Sequence, residues 1–185
     1  MQHLLKTVIP FAAVLILSSC AGDGSSENKT DTTSSHAHAA TAQTQSKAST
    51  APVLKNDKLN AVYQHYIHLT TALTNGDLAE AKVAANAIEA GARSIEGAST
   101  IASSASKITA ASDIEVQRAA YEALSNNMTA LIKKEGLANG ELYVAHCPMA
   151  FNDRGASWIS NSKEIRNPYF GEKMLNCGEI QETIK

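Results

Sequence analysis

The sequence predicts a mainly α protein: an antiparallel four-helix bundle followed by a small, irregular C-terminal segment of α+β or β character. Three observations carry this reading. From Asp57 onward apolar residues recur at helical spacing. Turn and capping residues interrupt that pattern at Asn75-Gly76-Asp77 and at Gly136. Beyond Gly140 the helical period gives way to Gly, Asn, Pro and aromatics. The 185 residues carry 16 Lys+Arg against 18 Asp+Glu, a formal charge of −2, and only 5% aromatics. That is enough chain for one modest domain. No basic run exceeds Lys133-Lys134, and nucleic-acid binding needs several phosphates neutralised at once, so nucleic acid is not an expected partner.

Residues 1–19 read as an export signal: a short start with Lys6, an apolar run from Val8 to Leu17, then small residues. The run of about ten residues is too short to span a bilayer core, which needs about 20 helical residues. Its end, Leu17-Ser18-Ser19-Cys20, resembles the lipobox of bacterial lipoproteins, in which the chain is cut before the cysteine and the cysteine takes the lipid. The expectation is therefore a membrane anchor at Cys20 and a cell-envelope location. Ala21, rather than aspartate, resembles lipoproteins sorted to an outer membrane, here facing the periplasm. Residues 20–52 hold no Ile, Leu, Val, Phe, Tyr, Trp or Met, so they read as a disordered tether with a reach of about 30 Å. His36 and His38 within it are two imidazoles where a closed metal site needs more, and read as solvated linker residues.

The domain proper is expected over 53–185. Leu59, Val62, Tyr63, Tyr66 and Leu73 form one helical stripe, with His65 and His68 on the opposite, solvent side. Gly76 suits the left-handed position past a helix end, and Asp77 with Glu80 reads as a capping box for a second helix carrying Ala81, Ala85, Ile88 and Ala92. A third, Ala/Ser-rich helix spans about 98–111 around Ile101, Ala105 and Ile108. The fourth opens at Ser112 or Asp113 and runs through Tyr121, Leu124, Met128 and Ile132 to Gly136. Four apolar stripes on short connections are most simply buried against one another in an antiparallel bundle.

Residues 141–185 concentrate the chemistry. Glu141 to His146 reads as a strand, and the alternation of Ile180, Glu182 and Ile184 favours a closing strand. His146-Cys147-Pro148-Met149 and Met174-Leu175-Asn176-Cys177 pack two cysteines, two methionines and a histidine into this stretch. In an extended chain Cys147 and Met149 leave the same face, and on a helical turn Met174 and Cys177 do too. Brought together they would form a two-thiolate, two-thioether site, with His146 as a possible nitrogen ligand. Such soft donors select Cu(I). Beside that stands a second reading: with Cys20 lipidated, the remaining even pair in an oxidising compartment is by default a structural disulfide, contributing about 3–4 kcal/mol. No Gly-rich phosphate loop, nucleophile elbow or His-Glu-x-x-His pattern occurs, and His146 would face away from Cys147 as its strand neighbour, so no enzyme is expected.

The runs Tyr143 to Ala150, Gly155 to Ser160, Glu164 to Gly171 and Met174 to Glu179 resemble the domain of unknown function 3347 family. Its members are exported bacterial domains, free-standing or fused to adaptor subunits of copper/silver efflux pumps. The resemblance covers about Leu54 to Lys185. It implies a copper-linked role in metal buffering, delivery or efflux, with an efflux-pump component as partner and no established activity. It also implies His146, Cys147, Met149, Met174 and Cys177 as the candidate metal ligands. Trp158, Arg166, Asn167, Pro168, Tyr169 and Phe170 match the same motifs and read as residues that shape the site: Pro168 restricts Asn167 to extended backbone, the aromatics cover the site, and Arg166 pairs with Glu164 or Glu172.

Overall fold

The computed structural model describes residues 51–185. The expected signal 1–19, Cys20, His36, His38 and the expected tether as far as Thr50 lie outside the described residues. The chain there is mainly helical: four helices packed against one another, followed by a small antiparallel sheet.

Helix α1 (Asp57–Asn75) begins where the Asn56 side chain accepts the Leu59 N–H at 3.1 Å. It ends at Gly76, whose φ of 72° lets the Asp77 N–H reach back to the Ala72 carbonyl at 2.9 Å. The predicted stripe is the buried one: Leu59, Val62, Tyr63, Tyr66, Leu69 and Leu73, while His65 and His68 are exposed. Helix α2 (Leu78–Ala92) is capped by Asp77, which accepts the Glu80 N–H at 2.9 Å. The capping box is half formed, because the Glu80 carboxylate turns instead to His68 on α1, 2.8 Å away. Helix α3 (Ser99–Ala110) has no side-chain cap. Helix α4 (Ile114–Glu135) opens on Asp113, which accepts the Val116 N–H at 2.9 Å. Glu115 does not reach back to Ser112 as a capping box would; it pairs with Arg118 and Lys173.

A short pair of strands, β1 (Val53–Leu54) and β2 (Leu137–Asn139), ties the start of the domain to the end of α4. The remaining strands form an antiparallel sheet in the order β4-β3-β5, with β3 at Leu142–Cys147, β4 at Ala156–Ser160 and β5 at Glu179–Ile184. The expected strands at 141–146 and 180–184 are present; β4 was not anticipated. Its outer edge is joined to the helices by side-chain hydroxyls. The Ile159 N–H donates to the Tyr66 hydroxyl at 2.9 Å, and the Ser157 carbonyl accepts from Ser125 at 3.0 Å and from Tyr169 at 2.6 Å. An edge strand leaves a row of backbone groups unpaired, and here α1, α4 and Tyr169 of the loop after β4 supply partners. Helices and sheet share one apolar core, in which Trp158, Ile159 and Tyr169 join Tyr66, Tyr121 and Leu124.

Candidate functional site

The site is built at one end of the three-stranded sheet, where β3 finishes and β4 and β5 begin. Cys147, the last residue of central β3, pairs with Ala156 across to β4 and is 0% exposed. Cys177 lies just before β5 and is partly buried. The two form a disulfide across 30 residues, with Cα atoms 5.6 Å apart, a normal separation for such a bridge.

The thioethers flank this pair differently. Met149 is not in extended backbone: β3 stops at Cys147 and the chain turns, with Met149 at φ −83°, ψ −9°. The expected shared face of Cys147 and Met149 therefore does not arise, because a two-residue alternation needs a continuing strand. Met149 is 50% exposed. Met174 closes a 3-10 turn, Gly171–Met174, and its carbonyl accepts the Cys177 N–H at 3.1 Å, so these two residues do bracket one turn.

His146 faces away from Cys147, as strand alternation requires. Its Nδ1 lies 3.0 Å from Ser157 Oγ, its neighbour across the β3–β4 ladder. The ring packs over Gly155, where a Cβ would come within 2.6 Å of the imidazole at a φ of 78°. Only glycine fits there without displacing the ring. His146 is thus held on the other face of the sheet from the cysteine pair. Among the described residues no three His, Cys, Asp or Glu side chains converge as a metal site would require.

Of the remaining motif residues, Asn167 contacts the disulfide loop directly. Asn167 is fully buried and central: its Nδ2 donates to the Cys177 carbonyl at 2.8 Å, its Oδ1 accepts from the Tyr169 and Phe170 N–H groups at 2.8 and 3.2 Å, and its backbone N–H donates to the Leu175 carbonyl. Trp158 is buried edge-on to Tyr169, with centroids 6.0 Å apart, and Tyr169 meets Tyr121 of α4 at 5.5 Å. Pro168 is buried, Phe170 half-buried, and Arg166 is exposed with a loose contact to Glu164 at 3.8 Å.

Two features escaped the motif reading. Arg118, 5% exposed, ties the motif loop to the helices: Nε donates to the Pro168 carbonyl at 3.0 Å, Nη2 to the Leu73 carbonyl at 2.9 Å and Nη1 to Glu115 at 3.0 Å. Its signal was available, since Arg118 falls between Ile114 and Tyr121 on the apolar stripe of α4. The other is the turn after Met149, where Phe151, Asn152 and Asp153 take φ of 53°, 56° and 63° in succession. Left-handed backbone costs about 1–2 kcal/mol per L-residue, and it is tolerated most readily by Asn and Asp, which occupy two of the three positions.

Residues 62–140 match the family described as "Protein of unknown function (DUF3347)". The stretch 62–140 carries that family's signature. The match runs from within α1 through β2, so the family signature found here lies on the helices, and the sulfur motifs of 141–185 lie beyond it. None of the curated proteins and none of the solved structures matches the chain. The DUF3347 match brings no activity with it, and the chemistry has to be argued from the sulfur pair and its surroundings.

Proposed function

We propose that the chain is a lipid-anchored extracytoplasmic protein that binds a soft metal, Cu(I), for buffering or hand-over to an efflux component. Cys20 is the lipid-bearing residue, 20–52 the tether, and the four helices an antiparallel bundle that carries the C-terminal metal segment. The observation that carries the reading is the sulfur arrangement at the end of β3: two cysteines with Cα atoms 5.6 Å apart, one of them one turn from Met174 and the other two residues from exposed Met149. As a disulfide the pair offers no thiolate. Reduction by a dithiol transfers two electrons and two protons and leaves two thiols, whose deprotonation on metal binding gives the soft anionic donors that Cu(I) prefers. Methionine sulfur completes the set, and among the described residues no carboxylate or imidazole cluster converges to suit Ca(II), Mg(II) or Zn(II). His146, on the opposite face, leaves the candidate ligand set and becomes a residue that fixes the β3–β4 end.

The test is an anaerobic Cu(I) titration of Cys20→Ser chain against a chromophoric chelator, reduced and oxidised in parallel. Stoichiometric binding by the reduced form alone is expected, with Cys147→Ser and Met174→Ala each weakening it by about tenfold or more, the effect of losing a ligand or its support. No competition by the reduced chain would sink the reading.

A second reading is favoured by the disulfide itself and by the complete burial of Cys147. In it the bridge is a permanent staple and the domain an interaction module. A free-thiol count under denaturing conditions, on protein isolated from the envelope, decides: two reactive thiols exclude a permanent bridge.

A further inference from the structure

The two sulfurs of the bridge are not equivalent. Cys147 is 0% exposed in the central strand, with β4 on one side and β5 on the other. Cys177 is partly exposed in the loop between the 3-10 turn and β5. Thiol–disulfide exchange is an in-line displacement: the incoming thiolate approaches along the extension of the S–S bond, from behind the sulfur it attacks. Attack on Cys147 would have to come from the packed side of the sheet, where Ala145 and Trp158 are 0% and 1% exposed. Attack on Cys177 comes from the loop side.

We propose that Cys177 is the entry point of a thiol reductant and Cys147 the buried partner that leaves. In the first step a reductant thiolate bonds to Cys177 Sγ, the Cys177–Cys147 bond breaks, and Cys147 Sγ departs with the electron pair and takes up the proton the incoming thiol gave up. In the second, another thiol of the reductant attacks its own sulfur in the mixed disulfide, and Cys177 leaves as a thiol. The reductant is oxidised to a disulfide and the protein gains two thiols. The substrate class is thus a thiol, most simply a dithiol that supplies both equivalents. The inference rests on the reading above only in that a copper-binding dithiol needs such a route to its reduced form.

The experiment uses the full chain, oxidised and native, with reduced glutathione as the probe, N-ethylmaleimide to cap released thiols, and tryptic mapping. Lys134, Arg154, Lys173 and Lys185 put Cys147 in peptide 135–154 and Cys177 in peptide 174–185. The expected result is glutathione on 174–185 and maleimide on 135–154, with at least a tenfold preference. Glutathione on 135–154, an even split, or no mixed disulfide at all would overturn the assignment. Single variants give the second measurement: the native-state reaction of Cys177 with an aromatic disulfide in Cys147→Ser is expected to be at least tenfold faster than that of Cys147 in Cys177→Ser, and equal rates would equally overturn it. A Cu(I) titration of chain reduced while unfolded and then refolded reports on metal binding independently, so the two ideas fail separately.

Discussion

Tyr63 and Tyr66 sit one turn apart on α1, both buried, but their hydroxyls have different surroundings. Tyr66 accepts from the Ile159 N–H and from Tyr121, and reaches Ser125 at 2.8 Å, which in turn donates to the Ser157 carbonyl. The Tyr63 hydroxyl has no partner among the described residues. Leaving a buried donor without an acceptor costs about 1–3 kcal/mol, whereas deleting an unpartnered hydroxyl relieves a desolvation penalty. Tyr66→Phe is therefore expected to lower unfolding free energy by about 1–3 kcal/mol and Tyr63→Phe to leave it unchanged or slightly raised. Urea titrations of both variants check this, and an equal loss in the two would contradict it. Arg118→Met is expected to cost more, about 3 kcal/mol, because two buried carbonyls, those of Pro168 and Leu73, lose their donor at once and the ion pair with exposed Glu115 is lost too. Its importance was readable from a charge on an apolar stripe. That its donors would reach Pro168 and Leu73 was not, since those partners lie 50 and 45 residues away in sequence.

At the scale of elements, the helices were legible because each has one buried stripe and three of the four have a side-chain cap. Two residues competed for the cap of α4, Ser112 and Asp113, and the bond to the Val116 N–H belongs to Asp113. Asp113→Ala is expected to cost about 1 kcal/mol, and Ser112→Ala only a few tenths, since the serine hydroxyl contacts only the Asp113 carboxylate. Thermal unfolding of the pair measures it; a larger loss in Ser112→Ala would reverse the cap assignment. Strand β4 was missed for a physical reason. Trp158 and Ile159 point to opposite faces and are both buried, so the polar–apolar alternation that marks a half-exposed strand is absent. The turn 151–153 was missed because nothing local demands left-handed backbone at Phe151. The candidate site was legible as residue types, and the cysteine pairing was one of its two open readings; the side of the sheet taken by His146 followed from alternation, but the end of β3 at Cys147, which removed Met149 from that face, did not.

Across the whole molecule, helices and sheet are joined through tyrosines that must stay neutral. Burial pushes the phenols of Tyr63, Tyr66, Tyr121 and Tyr169 above their ordinary range, with neighbouring phenols adding to the effect at Tyr63, Tyr121 and Tyr169. In the unfolded chain these groups ionise near pH 10. Below that pH both states are protonated and stability is unaffected. Above it the unfolded state loses protons that the folded state retains, so stability falls as pH rises. With four such groups buried in one core, the losses act together over the alkaline range in which free phenols ionise. The protein is therefore expected to unfold cooperatively in alkali, with the phenolate absorbance of the buried tyrosines appearing in the same step as the loss of helical circular dichroism. Tyr143 stands apart, because its shift comes first from its bond to the Glu141 carboxylate. A gradual phenolate titration that is complete while the helical signal persists would mean that the tyrosines reach solvent in the folded state, and that the hydroxyl seam between β4 and the helices opens without unfolding the domain.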